Sequence, residues 1–217
     1  MTEAKRDCQL YLISPETLDA KAFAPKLKEA LAAGGARIGA FQLRLPDADD
    51  ATIVAAAEEL RPICNAHRVA FFLSDCVGLV APLQADGIHL EKSRKSIAEV
   101  RKSVGEDVVI GVSCGASRDR AMDVGNDGAD YVSFSVESCR RTVVEGEDAV
   151  SLLEWWQMFF LLPCVAAGGV TLENAGALVQ AGADFLAVRG AVWDAPAGAA
   201  AAIQAFDICI TEALQSS

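Results

Sequence analysis

A pair of glycines in the C-terminal third of the chain is the feature best suited to bind an oxyanion. Gly168 and Gly169 end a short apolar run and precede Thr171, a residue type that often begins a helix. The backbone N–H groups of paired glycines can approach an anion closely, and a helix N-terminus carries partial positive charge. A second apolar run reaches Arg189 and Gly190, which add a cation and a permissive backbone. We expect a phosphate site here, although Arg189 would also suit an ion pair with a surface acid.

Polar side chains alternate with leucines in an earlier apolar run. In the segment Phe41–Leu45, period-two alternation places Gln42 and Arg44 on one side of a strand and the leucines on the other. A glutamine and an arginine that face the interior of a closed sheet are costly unless they are paired or bind a polar ligand. Two alternatives follow: a bound ligand, or an ion pair between Arg44 and an inner carboxylate such as Asp75.

Three further residues near the ends of apolar runs could act chemically. Asp75 ends the third run, where a carboxylate could hold Mg²⁺ or orient a hydrogen-bond donor. Ser113 lies near the end of the fifth run and presents a hydroxyl. His89 is better explained as a hydrogen-bonded core residue than as a catalytic base, and we expect His67 at a helix end or on the surface.

The elements that position these residues repeat along the chain. Eight short apolar runs occur, most of them followed by a helix-like stretch, and this order predicts right-handed βαβ units and a parallel sheet. Eight units in 217 residues indicate one (β/α)₈ TIM barrel spanning residues 1–217, with its chemistry at the carboxyl ends of the strands. The runs are Gln9–Ser14, Phe41–Leu45, Val69–Asp75, Gly87–Glu91, Val108–Cys114, Tyr131–Val136, Pro163–Gly169 and Phe185–Ala191. Three of them are preceded by similar tripeptides: Gln84-Ala85-Asp86, Gly128-Ala129-Asp130 and Gly182-Ala183-Asp184.

Two segments outside the strands carry predictions of their own. Residues 137–147 form a long connection on the catalytic side, which is either a lid or simply surface loop. In Leu152–Leu162, nine of eleven residues are apolar, more than one barrel-facing stripe requires. We therefore expect this segment to be covered by a second copy of the chain in a homo-oligomer, or alternatively by the C-terminal helix.

Composition excludes several classes of function. A net charge of −11 argues against non-specific nucleic-acid binding, and an anionic ligand would need locally concentrated cations. No apolar run reaches the ~18 residues of a membrane span, and the polar N-terminus lacks a secretory core, so we expect a cytoplasmic protein without membrane contact. Seven cysteines without a C-x-x-C pair indicate free thiols rather than a zinc site or a disulfide framework.

Taken in order, the motifs resemble the thiamine-phosphate synthase family, together with its thiazole-tautomerase relatives. The similarity extends over nearly the whole chain, from Leu10–Ile13 through Gln42-Leu43-Arg44 and Leu73-Ser74-Asp75 to Ala187-Val188. It implies an enzyme that joins a hydroxymethylpyrimidine diphosphate to a thiazole phosphate with Mg²⁺ and releases pyrophosphate. It implies Arg44, Asp75 and Ser113 as catalytic residues. The implied binding residues are Gln42, Arg44, Ser74, Ser113, Gly168, Gly169, Arg189 and Gly190.

Three positions depart from the pattern of the family. Pro46 stands where the family has a lysine that contacts pyrophosphate, and Ser74 stands where the family has an asparagine before the aspartate. Gly115 stands where the tautomerase relatives have a histidine, which argues against tautomerase activity.

The segment after the fourth strand changes the charge of the implied metal site. Arg94 takes the place of a second Mg²⁺-binding aspartate, so Asp75 is the one metal ligand that the resemblance leaves. A cation cannot bind Mg²⁺, but Lys92 and Arg94 could neutralise a phosphate directly. The cofactor is therefore Mg²⁺ or none. The function is a synthase, or alternatively a paralogue that binds a phosphorylated heterocycle without Mg²⁺, or a non-catalytic regulatory or partner protein.

Overall fold

The computed structural model describes residues 7–93, 95–137 and 148–216, and within them eight parallel strands close into a barrel in chain order. Each predicted apolar run overlaps one strand, so the prediction of a (β/α)₈ TIM barrel is confirmed. The strands are β1 Gln9–Ile13, β2 Ile38–Leu43, β3 Ala70–Ser74, β4 Gly87–Leu90, β5 Val109–Gly115, β6 Tyr131–Ser135, β7 Cys164–Ala167 and β8 Phe185–Val188.

Helices alternate with the strands around the barrel. Several begin at an aspartate whose carboxylate accepts a backbone N–H of the first turn, as Asp49 does from Thr52 at 2.9 Å and Asp148 from Ser151 at 2.8 Å. The described helices are α1 Ala20–Gly34, α2 Asp50–Ala66, α3 Val80–Leu83, α4 Ile97–Val104, α5 Arg118–Asn126, α6 Ala149–Phe159, α7 Leu172–Gln180, α8 Gly190–Trp193 and α9 Ala199–Gln215. The short α3 and α8 carry no periodic pattern long enough to predict.

The three repeated tripeptides have a common structural role at the amino ends of the strands. Their aspartate carboxylates accept the backbone N–H of the preceding strand: Asp86 from Phe71 at 2.7 Å, Asp130 from Ile110 at 2.7 Å, and Asp184 from Cys164 at 2.8 Å. Each aspartate N–H donates in return to the carbonyl of the same partner residue. These reciprocal pairs fix the amino end of the barrel.

Aromatic rings fill the interior of the barrel below its carboxyl end. Tyr11, Phe72 and Tyr131 pack together, with ring centroids 5.7 Å to 6.2 Å apart. A Cβ at Gly111 would lie 1.9 Å from Tyr131, and one at Gly87 would lie 2.5 Å from Phe72. These glycines are therefore required because the rings lie directly over their backbones, and the rings form the floor of the space above them.

The last two strands end earlier than the apolar runs predicted. β7 ends at Ala167, because Gly168 and Gly169 take positive φ values of 63° and 93° that leave the extended region. β8 ends at Val188, and Gly190 begins α8 instead of continuing the strand. The candidate phosphate residues thus lie beyond the ends of both strands.

The apolar segment 152–162 is covered on one side only. Leu153 and Trp156 are fully buried against the barrel, while Met158, Phe159 and Leu161 are exposed. The C-terminal helix α9 packs against α1, α7 and α8, so the alternative that it covers these side chains is wrong. Cover by a second copy of the chain stays a prediction.

Other sequence expectations can be compared with the described residues. The six cysteines among them are free thiols, as expected, and Cys139 lies outside the described residues. His67 caps the end of α2. No helix in the described ranges is long and apolar enough to cross a membrane. The proposed lid at residues 137–147 lies outside them except for Glu137.

Candidate active site

A cavity of about 270 Å³ opens at the carboxyl ends of the strands. Four of the residues expected to bind ligand or act in catalysis line it together: Gln42, Arg44, Ser113 and Gly168. The remaining lining residues are Tyr11, Ile13, His89, Glu91, Tyr131, Ser133, Ser135, Val165, Ala167 and Ala187. The structure therefore gathers side chains from distant parts of the chain into one cavity above the aromatic floor, where a few polar groups interrupt a largely apolar lining.

Gln42 lines this cavity and carries a buried hydrogen-bond donor without a partner among the described residues. The side chain is 1% exposed, and its Nε2 has no hydrogen-bond partner in the described part of the chain. A buried amide without a partner is costly, so such groups in native proteins usually have a ligand or another explanation. The alternation predicted for β2 places Gln42 and Arg44 at the cavity and buries Leu43 and Leu45 in the core.

Arg44 is held by two carboxylates at the mouth of the barrel. Its Nε donates to Glu91 Oε1 at 2.7 Å and its Nη1 to Glu16 Oε1 at 2.8 Å. The hydrogen bond to Glu91 is the main cause that raises the pKa of Arg44. The ion-pair alternative for Arg44 is thus observed, with Glu91 and Glu16 as its partners. The suggestion of Asp75 as partner is wrong, because the Asp75 carboxylate accepts backbone N–H groups after β4 instead.

Asp75 fixes the turn that follows β4. Its carboxylate accepts the backbone N–H groups of Glu91 at 2.9 Å, Lys92 at 3.2 Å and Ser93 at 3.2 Å. Together with Ser74 and Lys92, it lines a second cavity of about 140 Å³ beside the first. Asp75 therefore controls where the backbone of Glu91, and with it the partner of Arg44, is placed.

The arrangement of carboxylates among the described residues bears on the predicted Mg²⁺ site. No group of three or more histidine, cysteine, aspartate or glutamate side chains in the described ranges is placed to hold a metal ion. Both oxygens of Asp75 accept backbone N–H groups. Arg94, at the second metal position of the family, lies outside the described residues. Asp75 as a metal ligand stays a prediction.

His89 belongs to a buried chain of hydrogen bonds at the bottom of the cavity. His89 Nδ1 lies 2.9 Å from Tyr131 Oη, which lies 3.1 Å from Tyr11 Oη. Burial lowers the pKa of His89 to about 4, so the imidazole is neutral at physiological pH. The expectation of a hydrogen-bonded core histidine is confirmed, and its ring also lines the cavity.

Sequence reasoning missed Glu91 as a site residue, although a signal was present. Period-two alternation in β4 puts Glu91 on the side of His89 and buries Leu90 in the outer core. Glu16 and Tyr131 offered no comparable signal, since an exposed loop acid and a strand tyrosine are common features.

The glycine loop after β7 is open to solvent. Gly168 and Gly169 are exposed, and their carbonyls accept hydrogen bonds from Glu137 N at 2.9 Å and Asn174 Nδ2 at 2.8 Å. Asn174 also accepts the backbone N–H of Thr171 at 2.9 Å, which fixes the start of α7. The loop is thus anchored through its carbonyls, and a phosphate site at its N–H groups stays a prediction.

Arg189 lies beside the main cavity. Its Nη1 donates to Glu16 Oε1 at 2.6 Å, which is the surface ion pair that the sequence left as an alternative. Arg189 and Glu16 line an adjoining groove of about 210 Å³ with Trp193 and Asp194. Arg189 therefore lies in this groove rather than among the residues that line the main cavity.

Comparison with known proteins identifies the family. A family model described as Thiamine monophosphate synthase matches residues 10–192. The chain belongs to this family. The thiamine-phosphate synthase of Rhodospirillum centenum is 48% identical to this chain over 202 residues, which cover 93% of this chain and 97% of that protein. The thiamine-phosphate synthase of Erythrobacter litoralis is 45% identical over 210 residues, which cover 95% of this chain and 97% of that protein.

A solved structure shows the same barrel in another member of the thiamine monophosphate synthase family. Thiamine phosphate pyrophosphorylase from Pyrococcus furiosus superposes with a TM-score of 0.79 at 25% identity, covering 95% of this chain and 96% of that chain. A 3-hexulose-6-phosphate synthase matches with a TM-score of 0.64 at 18% identity, which is a likeness of fold alone. The family resemblance inferred from the sequence is confirmed.

Proposed function

We propose that this chain is a thiamine-phosphate synthase, which joins a hydroxymethylpyrimidine diphosphate to a thiazole phosphate and releases pyrophosphate. The observation that carries the proposal is the unpartnered, buried amide of Gln42 beside Arg44 and Ser113 in one cavity of a member of this family. In this reaction the bond between the pyrimidine methylene carbon and the diphosphate oxygen breaks. A bond forms between that carbon and the thiazole nitrogen, whose lone pair supplies the electrons.

The deep part of the cavity suits a neutral, planar heterocycle. Gln42 Nε2 can donate to a ring nitrogen, and the Ser113 hydroxyl can donate or accept on the other side. The rings of His89 and Tyr131 stack with centroids 5.6 Å apart, so they offer a flat surface at the bottom. Because His89 is neutral at physiological pH, its ring adds no positive charge that would oppose the charge developing on the methylene carbon.

The mouth of the cavity suits the anionic groups. Arg44 lies at the end of β2 with its guanidinium positioned by Glu91, and the Gly168 loop lies across the opening. Charge-assisted hydrogen bonds from such groups are strongest where negative charge grows, which is on the departing diphosphate. We propose that Lys92 and Arg94 add fixed positive charge on the β4 side.

The direct test is a coupling assay with both precursors. Purified protein, incubated with hydroxymethylpyrimidine diphosphate, thiazole phosphate and excess Mg²⁺, should form thiamine phosphate, which oxidises to a fluorescent thiochrome. Gln42→Met, which keeps the volume but removes the donor, should lose roughly tenfold to a hundredfold in kcat/KM, as expected for one buried hydrogen bond to substrate. Glu58→Gln, an exposed change on α2, should behave as wild type.

The outcomes separate an enzyme from a binding protein. If folded wild-type protein forms no product but is stabilised by thiazole phosphate in a thermal shift assay, the synthase proposal is wrong. A paralogue that binds a phosphorylated heterocycle would then replace it. Equal activity of Gln42→Met and wild type would remove Gln42 from the site.

A further inference from the structure

One continuous chain of ion pairs crosses the mouth of the barrel. Arg44 follows β2, Glu16 follows β1 and Arg189 follows β8, and β1 pairs with both of the other strands. A single atom, Glu16 Oε1, lies 2.8 Å from Arg44 Nη1 and 2.6 Å from Arg189 Nη1. Two guanidinium groups thus converge on one carboxylate oxygen.

The members of this chain differ in how firmly they are held. The Arg44 side chain is 18% exposed and has a second anchor at Glu91, whereas the Glu16 side chain is 52% exposed. Hydrogen bonds from Arg189 and then Arg44 lower the pKa of Glu16, so its carboxylate is ionised at neutral pH. An exposed ion pair is weak because water competes for both partners. Glu16 can therefore leave while Arg44 stays in place.

The arrangement has the chemistry of an oxyanion site. Paired guanidinium groups bind carboxylate and phosphate oxygens through charge-assisted hydrogen bonds. A phosphate offers more acceptor oxygens and more negative charge than a carboxylate, so it can contact both arginines and still reach neighbouring donors. Arg44 lines the main cavity and Arg189 lines the groove, so Glu16 Oε1 bridges a residue of each space.

We propose that Glu16 is an internal anion that occupies the clamp formed by Arg44 and Arg189 in the empty protein, and that a phosphate or diphosphate ligand must displace it. Glu16 neutralises two like charges that would otherwise repel each other. Anions with no more charge and no more acceptor oxygens than a carboxylate do not displace Glu16 at ordinary concentrations, because Glu16 is tethered beside the site. Glu16 is thus a specificity-determining residue of the anion site, an inference that rests on the proposed function for its choice of ligand.

The test measures anion affinity without requiring any reaction. Isothermal titration calorimetry with inorganic pyrophosphate, in buffer without divalent cations, compares wild type with Glu16→Gln. Removing the internal competitor should tighten binding by about threefold to tenfold, the range expected for release of two exposed ion pairs. Glu16→Asp, whose side chain is one methylene shorter, should bind pyrophosphate with an affinity between those of wild type and Glu16→Gln. Glu58→Gln removes the same charge far from the mouth and should bind like wild type.

A double-variant cycle distinguishes competition from a scaffold role. In an Arg189→Met background, Glu16→Gln should change pyrophosphate affinity by less than about twofold, since half of the clamp is gone. A scaffold role for Glu16 predicts the opposite sign, because loss of a support weakens binding. Equal or weaker binding by Glu16→Gln, or no binding by either protein, overturns the proposal. If Glu16→Gln binds pyrophosphate more tightly but the wild-type protein shows no coupling activity, the proposal for Glu16 is supported and only the synthase proposal is wrong.

Discussion

Aspartates at the two ends of the barrel make the same kind of hydrogen bond with different consequences. At the amino end, Asp86, Asp130 and Asp184 each accept the N–H of the preceding odd-numbered strand. At the carboxyl end, Asp75 accepts three N–H groups of one turn after β4. The first arrangement joins strands to each other, while the second positions a loop that carries Glu91. The same interaction thus stabilises the fold at one end and arranges the candidate site at the other.

The largest expected effect tests the carboxyl end. Asp75→Asn should reduce coupling of the two precursors by about 10²–10³ in kcat, because the turn that places Glu91 and Arg44 loses its charged acceptor and any metal loses its predicted ligand. Steady-state kinetics measure the loss, and chemical denaturation should show a change of less than about 1 kcal/mol, since the residue lies outside the packed layers. If the Asp75→Asn protein unfolds under native conditions, Asp75 stabilises the fold as the amino-end aspartates do, and the contrast between the two ends is wrong.

The next effect tests the amino end. Asp184→Ala removes the acceptor for Cys164 N and for Gln157 Nε2, which lies 3.1 Å away. We expect the free energy of unfolding to fall by about 2 kcal/mol, since hydrogen bonds to a charged group are lost and a strand N–H is left without its partner. Urea denaturation measures the change. In this variant, kcat of the remaining folded protein should equal that of wild type; a selective loss of kcat would erase the contrast between the two ends.

The smallest effect concerns metal removal at the carboxyl end. If Lys92 and Arg94 supply fixed charge in place of a metal, EDTA should change the affinity for pyrophosphate by less than about twofold. Calorimetry with and without excess Mg²⁺ gives the comparison. Strict dependence of binding on Mg²⁺ would contradict this prediction and would instead favour Asp75 as a metal ligand.

Much of the candidate site was predictable, because its residues follow local rules. Alternation in β2 places Gln42 and Arg44 together, and paired glycines after β7 mark a loop with positive φ. The partners of those residues were not predictable in the same way. The sequence suggested Asp75 for Arg44, whereas Glu91 and Glu16 hold it, because the carboxylate of Asp75 is turned toward the backbone after β4.

The alternation of strands with the longer helices, the barrel and the family follow from the sequence alone, since periodicity and turn residues act over a few neighbours. Tertiary structure alone decided that Glu16 and Arg189 meet across 173 positions, and that His89, Tyr131 and Tyr11 form one hydrogen-bonded floor. The physical reason is closure of the barrel. Closure pairs β1 with β8 and turns side chains from all eight strands toward one interior, and no local pattern specifies which of them touch.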